Sequence, residues 1–249
     1  MIGLVVVSHS RALADAAVEL ALQMGGENPP TVRVAAGGPD GDLGTDAMAI
    51  AAAIDEADSG DGVLVLMDLG SAILSAETAV EFVAAPDRVR LSPAPFVEGL
   101  VAAVVTAAGG ADLATVAAEC ATAGDAKRQQ LGADSDTGIA ASVADGGADA
   151  DARTEAEAEA SFEAVVTNPS GLHARPAATF VKTASRYDAD VRIADLDAGS
   201  EEISGRSLLA LMALGIRPGS RIRVRATGPE ARAALTELRA LIDDGFGER

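Results

Sequence analysis

Residues 1–24 read MIGLVVVSHSRALADAAVELALQM, and this stretch decides the fold class of the first half of the chain. Ile2–Val7 is a short apolar run rich in valine, stopped by Ser8-His9-Ser10. β-Branched side chains are stiff at χ1 and suit a pleated surface better than a helix. An apolar run without polar alternation predicts a strand buried on both faces, as in a parallel sheet. From residue 11 the period changes, with Leu13, Ala16, Ala17, Leu20 and Met24 at helical spacing. The strand-then-helix unit recurs. Val32–Ala36 precedes a helix over 47–57, and Val63–Met67 a helix over 73–84. Val89–Leu91 precedes helices over 97–108 and 113–120. Alternating units of this kind predict an α/β domain over 1–120, a doubly wound parallel sheet with helices on both faces.

Residues 121–160 have a different character. ADGGADADARTEAEAEA is acidic, low in complexity and nearly free of large apolar residues. Such a segment cannot bury enough surface to offset its ordering entropy, which predicts a flexible linker. Beyond it, Phe162–Val166, Asp190–Ala194, 202–203 and Arg221–Arg225 read as strands. Helices are expected over 173–185, 207–214 and 230–242. The order β-α-β-β-α-β-α predicts a second domain over 161–249, a small α+β open-faced sandwich of one antiparallel sheet with helices on one side.

Composition narrows the function. Of 249 residues 49% are hydrophobic but only 2% aromatic, so aliphatic side chains must fill the cores. The net charge of -19, with Lys127 and Lys182 the only lysines, argues against nucleic acid or anionic membrane as a partner. Cys120 is the single cysteine, so no disulfide can form within the chain. The N-terminus lacks the basic region of a signal peptide, and no apolar run reaches the roughly 20 residues of a membrane span. A cytoplasmic protein is expected.

The chain contains two histidines, His9 and His173, and each stands where a strand gives way to a helix. There the first backbone N–H groups are unpaired and the helix dipole is positive, an arrangement that binds phosphate. It also disfavours imidazolium, leaving a neutral nitrogen as nucleophile. Histidine can carry a phosphoryl group covalently as a donor intermediate, so no cofactor beyond phosphohistidine is called for. Two histidines on separate domains and one cysteine do not make a metal site. A lone turn histidine is more often a surface or capping residue; it is the pair that favours chemistry.

The segment NPSGLHARPAATFVKTAS, residues 168–185, resembles the active-site signature of HPr, the histidine phosphocarrier of the bacterial phosphotransferase system. SLLALMALGI, residues 207–216, resembles that family's second helix. The resemblance implies that His173 is phosphorylated and that Arg175 is the active-site arginine, a role suited to a guanidinium two residues away. Pro176 fits an early helix position. Ser207 falls where some members carry a regulatory phosphoserine, although a plain helix N-cap is the simpler reading.

The stretches 4–24, GTDAMAI, VLVLMDLGSAILSAETA and APFVEGLVAAVVTAAGGADL are similar to mannose-type IIA domains of the same system. Within them MDLGSAILSAETA is most like the phosphocarrier branch of phosphotransferase-dependent dihydroxyacetone kinase. This implies that His9 is the phosphoacceptor, that enzyme I and the kinase subunits are partners, and that the first domain forms a homodimer. The apolar segment Phe96–Val105 is the candidate face for that dimer. The chain ends at Arg249 without a partial enzyme I region, so a separate enzyme I is expected as donor.

Asp68 ends the third predicted strand as His9 ends the first, so both should open on one crevice. It could orient the His9 ring or cap the following helix. Thr45 is a weaker candidate for the same crevice. A receiver domain is rejected because Ser8 and His9 stand where its acidic pair would be. A dinucleotide site is rejected because 8–15 contains no glycine. Two alternatives stay open: a regulatory phosphocarrier read by a binding partner, and the IIA component of a sugar transporter. The expected reaction is a phosphoenolpyruvate–glycerone phosphotransfer, relayed from enzyme I to His173, to His9, and to ADP on a kinase subunit.

Overall fold

The computed structural model describes residues 1–39, 41–130, 160–169 and 171–248. Four apolar runs form the first sheet: β1 (Gly3–Ser8), β2 (Val32–Ala36), β3 (Val63–Met67) and β4 (Val89–Leu91). All pair in parallel, in the order β2-β1-β3-β4. β1 and β3 are wholly buried because both sheet faces are covered. Leu4, Val6, Leu64 and Leu66 point to a core shared with α1 (Arg11–Gly25), α4 (Phe96–Ala108) and α5 (Leu113–Ala121). Val5, Val7, Val63 and Val65 face α2 (Ala47–Ala57) and α3 (Gly70–Val80). This is the doubly wound arrangement expected from the sequence.

α3 starts three residues before its expected position and ends four residues sooner. The chain enters it directly from the turn at Asp68-Leu69, and Ala72, Ala76 and Ala79 form its buried face. The first domain also extends past residue 120. α6 (Asp125–Gln130) continues it because Ala123 is buried in the core and Lys127 pairs with Glu98. Most of the expected linker, residues 131–159, lies outside the described residues. Cys120 is buried, and burial pushes its thiol up to about 12, so it is no nucleophile at neutral pH.

The second domain runs β5 (Ala160–Val165), α7 (Ala174–Ser185), β6 (Asp190–Asp195), β7 (Ile203–Ser204), α8 (Leu208–Ala213), β8 (Arg221–Thr227), α9 (Ala231–Asp243). Its sheet is antiparallel with order β5-β8-β6-β7. Val191, Ile193, Ile222 and Val224 alternate inward against Phe180, Leu208, Leu211 and Leu238 of the helices. This is the predicted one-sided sandwich.

The two domains touch. α7 packs on α1 and α4, and α8 packs on α4 and α6. Val105 of α4 belongs to the core of the second domain, and Leu209 of α8 to the core of the first. Of Phe96–Val105, the segment expected to cover a second copy, Val97, Val101 and Val105 face the second domain. Among the described residues, no helix is long and apolar enough to cross a membrane.

Candidate functional site

His9 follows β1 and Asp68 follows β3, two neighbouring parallel strands, so both emerge at the carboxyl edge of the sheet. The strand order reverses there, because β2 lies on the other side of β1. Such switch points are where open α/β sheets bind ligands. Asp68 Oδ1 is 2.9 Å from His9 Nδ1. Oδ2 accepts from the His9 amide at 2.9 Å and from the Ser8 hydroxyl at 2.8 Å, and the Leu69 amide donates to Oδ1 at 2.7 Å. Burial works to raise the Asp68 carboxyl, but the bonds from His9, Ser8 and Leu69 outweigh it and hold it below the usual range. An ionised carboxylate can only accept, so Nδ1 of His9 carries a proton, and in the neutral ring the lone pair is on Nε2. Ser71 Oγ lies 2.8 Å from that Nε2.

The capping role considered for Asp68 is not the one observed. Leu69 is the N-cap of α3 and gives it no side-chain bond, so the first turn of α3 is left uncapped beside Nε2. α1, the helix that follows His9, is capped by Ser10, which accepts from the Leu13 amide. The helix start that meets Nε2 of His9 is thus that of α3. Thr45 bonds Ser75 at 2.7 Å and has no bond to His9. The His9 crevice, about 610 Å³, is walled by Ser10, Arg11, Gly37, Asp42 and Leu43, with Arg11 held by Asp15.

His173 is the N-cap of α7, with extended backbone and no side-chain capping bond. Gly171 sets its approach. With φ +66 it presses so close to the Ile216 carbonyl that an added Cβ would sit 2.3 Å away. The His173 side chain is 45% exposed, and its Nε2 is 3.3 Å from Glu248 Oε1. Glu248 is anchored in turn by Asn168, whose Nδ2 donates to it at 3.0 Å and to the Gly171 carbonyl at 2.7 Å. Gly245, Phe246 and Gly247 all have positive φ, and this hook returns the chain to the site. With Nε2 facing a carboxylate, Nδ1 is left at the start of α7. Arg175 is exposed and its guanidinium has no partner among the described residues. Arg217 lines the hollow of about 240 Å³ beside His173.

Sequence reasoning missed Ser8, Ser71, Arg217 and Glu248. Ser8 and Ser71 flank the predicted residues, so the SHS and DLGS contexts carried a signal. Glu248 had none, because only the hook brings it near. Ser207 is an N-cap, accepting from the Ala210 amide at 3.0 Å.

Two families match the chain. The family described as PTS system fructose IIA component matches residues 3–117, and PTS HPr component phosphorylation site matches 160–244. The chain belongs to the phosphotransferase-system phosphocarriers, as a IIA domain followed by an HPr domain. It is 41% identical over its full length to the PEP-dependent dihydroxyacetone kinase, phosphoryl donor subunit DhaM, of Escherichia coli K12, covering 51% of that protein. The corresponding subunit of Klebsiella michiganensis is 39% identical, again over all of this chain and 51% of the relative. A multiphosphoryl transfer protein of Haemophilus influenzae is 43% identical over 84 residues, 34% of this chain and 17% of that protein. The chain spans about half the length of the dihydroxyacetone kinase relatives it matches.

Proposed function

We propose that this phosphocarrier is a phosphoryl donor for dihydroxyacetone kinase, working as a two-histidine relay in the cytoplasm. Enzyme I, phosphorylated by phosphoenolpyruvate, passes the group to His173. His173 passes it to His9, and His9 to ADP held by a kinase subunit, which phosphorylates dihydroxyacetone. The observation that carries this reading is the complementary tethering of the two rings. His9 is held through Nδ1 by Asp68, and His173 is approached at Nε2 by Glu248. Each keeps the other nitrogen for phosphorus.

In the transfer between domains, the His9 Nε2 lone pair attacks phosphorus in line with the His173 Nδ1–P bond. The new N–P bond forms as the old one breaks, and the electron pair returns to Nδ1 of His173. Charge gathers on the phosphoryl oxygens. Ser71 and the uncapped first turn of α3 donate to them at His9. Arg175 and Arg217 neutralise them at His173. Positive charge that builds on the His9 ring is balanced by Asp68.

The dihydroxyacetone assignment rests on the likeness of this whole chain to about half the length of the donor subunits named above. Its test is direct. The phosphorylated chain is mixed with the two kinase subunits, ADP and dihydroxyacetone, without ATP. Dihydroxyacetone phosphate should form in step with loss of label from His9; label leaving only to a sugar-transporter IIB protein would refute it. A homodimer through Phe96–Val105 and docking of the second domain on α4 exclude each other, since both use one face.

A further inference from the structure

The contact between the domains is specific. Glu119, at the end of α5, accepts from the Ser207 hydroxyl at 2.7 Å and from the Leu209 amide at 3.1 Å. A carboxylate of one domain thereby satisfies the start of a helix in the other. Leu209 is 8% exposed and completes the core of the first domain. Lys182 of α7 lies against Gly26, and Ser185 against Gly109, where an added Cβ would be 3.1 Å from the Ser185 Cβ and Oγ. The 29 residues from 131 to 159 can reach on the order of 95 Å when extended, so covalent tethering alone does not hold this pairing.

The covered face adjoins His173. Ala174, the next residue, and Leu209 and Met212 of α8 line an apolar cavity of about 240 Å³, closed on the other side by Met24, Val97 and Val101. Met212 also lines the hollow of His173 itself. A protein that delivers phosphate must lay a surface of roughly 800 Å² around the acceptor. Ala174 and Met212, which border His173 on α7 and α8, already face the first domain. The walls of the His9 crevice, in contrast, all come from the first domain. The pairing seen therefore does not set His173 against His9.

We propose that the α1–α4–α6 face of the first domain is a docking surface for the α7–α8 face of the second domain of the same chain. This closed form withholds His173 from its phosphoryl donor, with Glu119 as the latch. The relay then runs through an open form, in which α7 and α8 are freed first for enzyme I and then for the His9 crevice. The proposal rests on His173 being the acceptor from enzyme I.

A reversible lock tests it. In the full chain, G109C with S185C places two thiols across the contact at close to disulfide spacing, and Cys120 is buried too deeply to interfere. Mild oxidation should cross-link the chain within itself. Phosphorylation of His173 by enzyme I and phosphoenolpyruvate should then slow by more than about tenfold and recover with dithiothreitol. E119R should act in the opposite sense. It should raise kcat/KM for enzyme I about 3–10-fold, as expected if about a tenth to a third of the wild type is open, and enlarge the radius of gyration in X-ray scattering. Failure to cross-link, cross-linking only between chains, or full-rate labelling of the locked protein would each overturn the closed form. An unlabelled wild-type His173 would instead overturn the relay reading beneath it.

Discussion

Asp68 holds His9 twice, bonding the ring at Nδ1 through one carboxylate oxygen and the backbone amide through the other, each at 2.9 Å. Ring and backbone are thus fixed by one anion, itself tied to the turn by Ser8 and Leu69. The arrangement ties up Nδ1 and leaves Nε2 turned away from the carboxylate.

Asp68→Asn should reverse that arrangement. An amide nitrogen facing Nδ1 would donate, moving the ring proton to Nε2 and blocking the nucleophile. Transfer from His173 to His9 should fall by about 100-fold or more. Nitrogen chemical shifts of the His9 ring should report the Nε2–H tautomer. An unchanged tautomer with full transfer would remove Asp68 from the site.

The depressed Asp68 carboxyl carries a pH dependence of stability. Because its folded value lies below the unfolded 3.8, its contribution is complete above that value and is lost as pH falls through the folded one. Acid unfolding of the wild type should show a corresponding loss below about pH 4 that Asp68→Asn lacks. Identical acid limbs for the two proteins would contradict the assignment.

Ser71→Ala should leave binding between domains unchanged and slow phosphorylation of His9 by roughly 100–1,000-fold, the range for loss of one donor to a developing oxyanion. Quench-flow labelling of His9 from phosphorylated His173 reads this step alone. A wild-type rate would mean that the hydroxyl at 2.8 Å serves only the resting ring.

Glu248→Gln should keep its amide oxygen toward the Asn168 Nδ2 donor, which turns its NH2 toward Nε2, so Gln and Ala should each cost about tenfold in phosphorylation of His173. Equal rates for Ala and wild type would leave the 3.3 Å approach without function.

Both folds were legible because their signals are local. β1 announced itself as an apolar run buried on two sides, and β8 by strict alternation of Arg221, Arg223 and Arg225 with Ile222 and Val224. His9 and His173 stood out because the chain holds no other histidine. The turn at Asp68 is legible, but the start of its helix is not, because Leu69 is an apolar N-cap with no side-chain signal. Contacts formed by distant segments were not legible. Glu248 reaches His173 through a hook of left-handed residues, and Glu119 reaches Ser207 across two domains. Neither leaves a period or a spacing in the sequence. The apolar face of α4 was visible, but what covers it was not.

The central claim is that phosphate passes through both histidines in order. The measurement is mass spectrometric mapping, at neutral pH, of the chain after incubation with enzyme I and phosphoenolpyruvate, for wild type, H9A and H173A. The account predicts acid-labile label on His173 and His9 in the wild type, on His173 alone in H9A, and none on His9 in H173A. Label on His9 of H173A at the wild-type rate would contradict it.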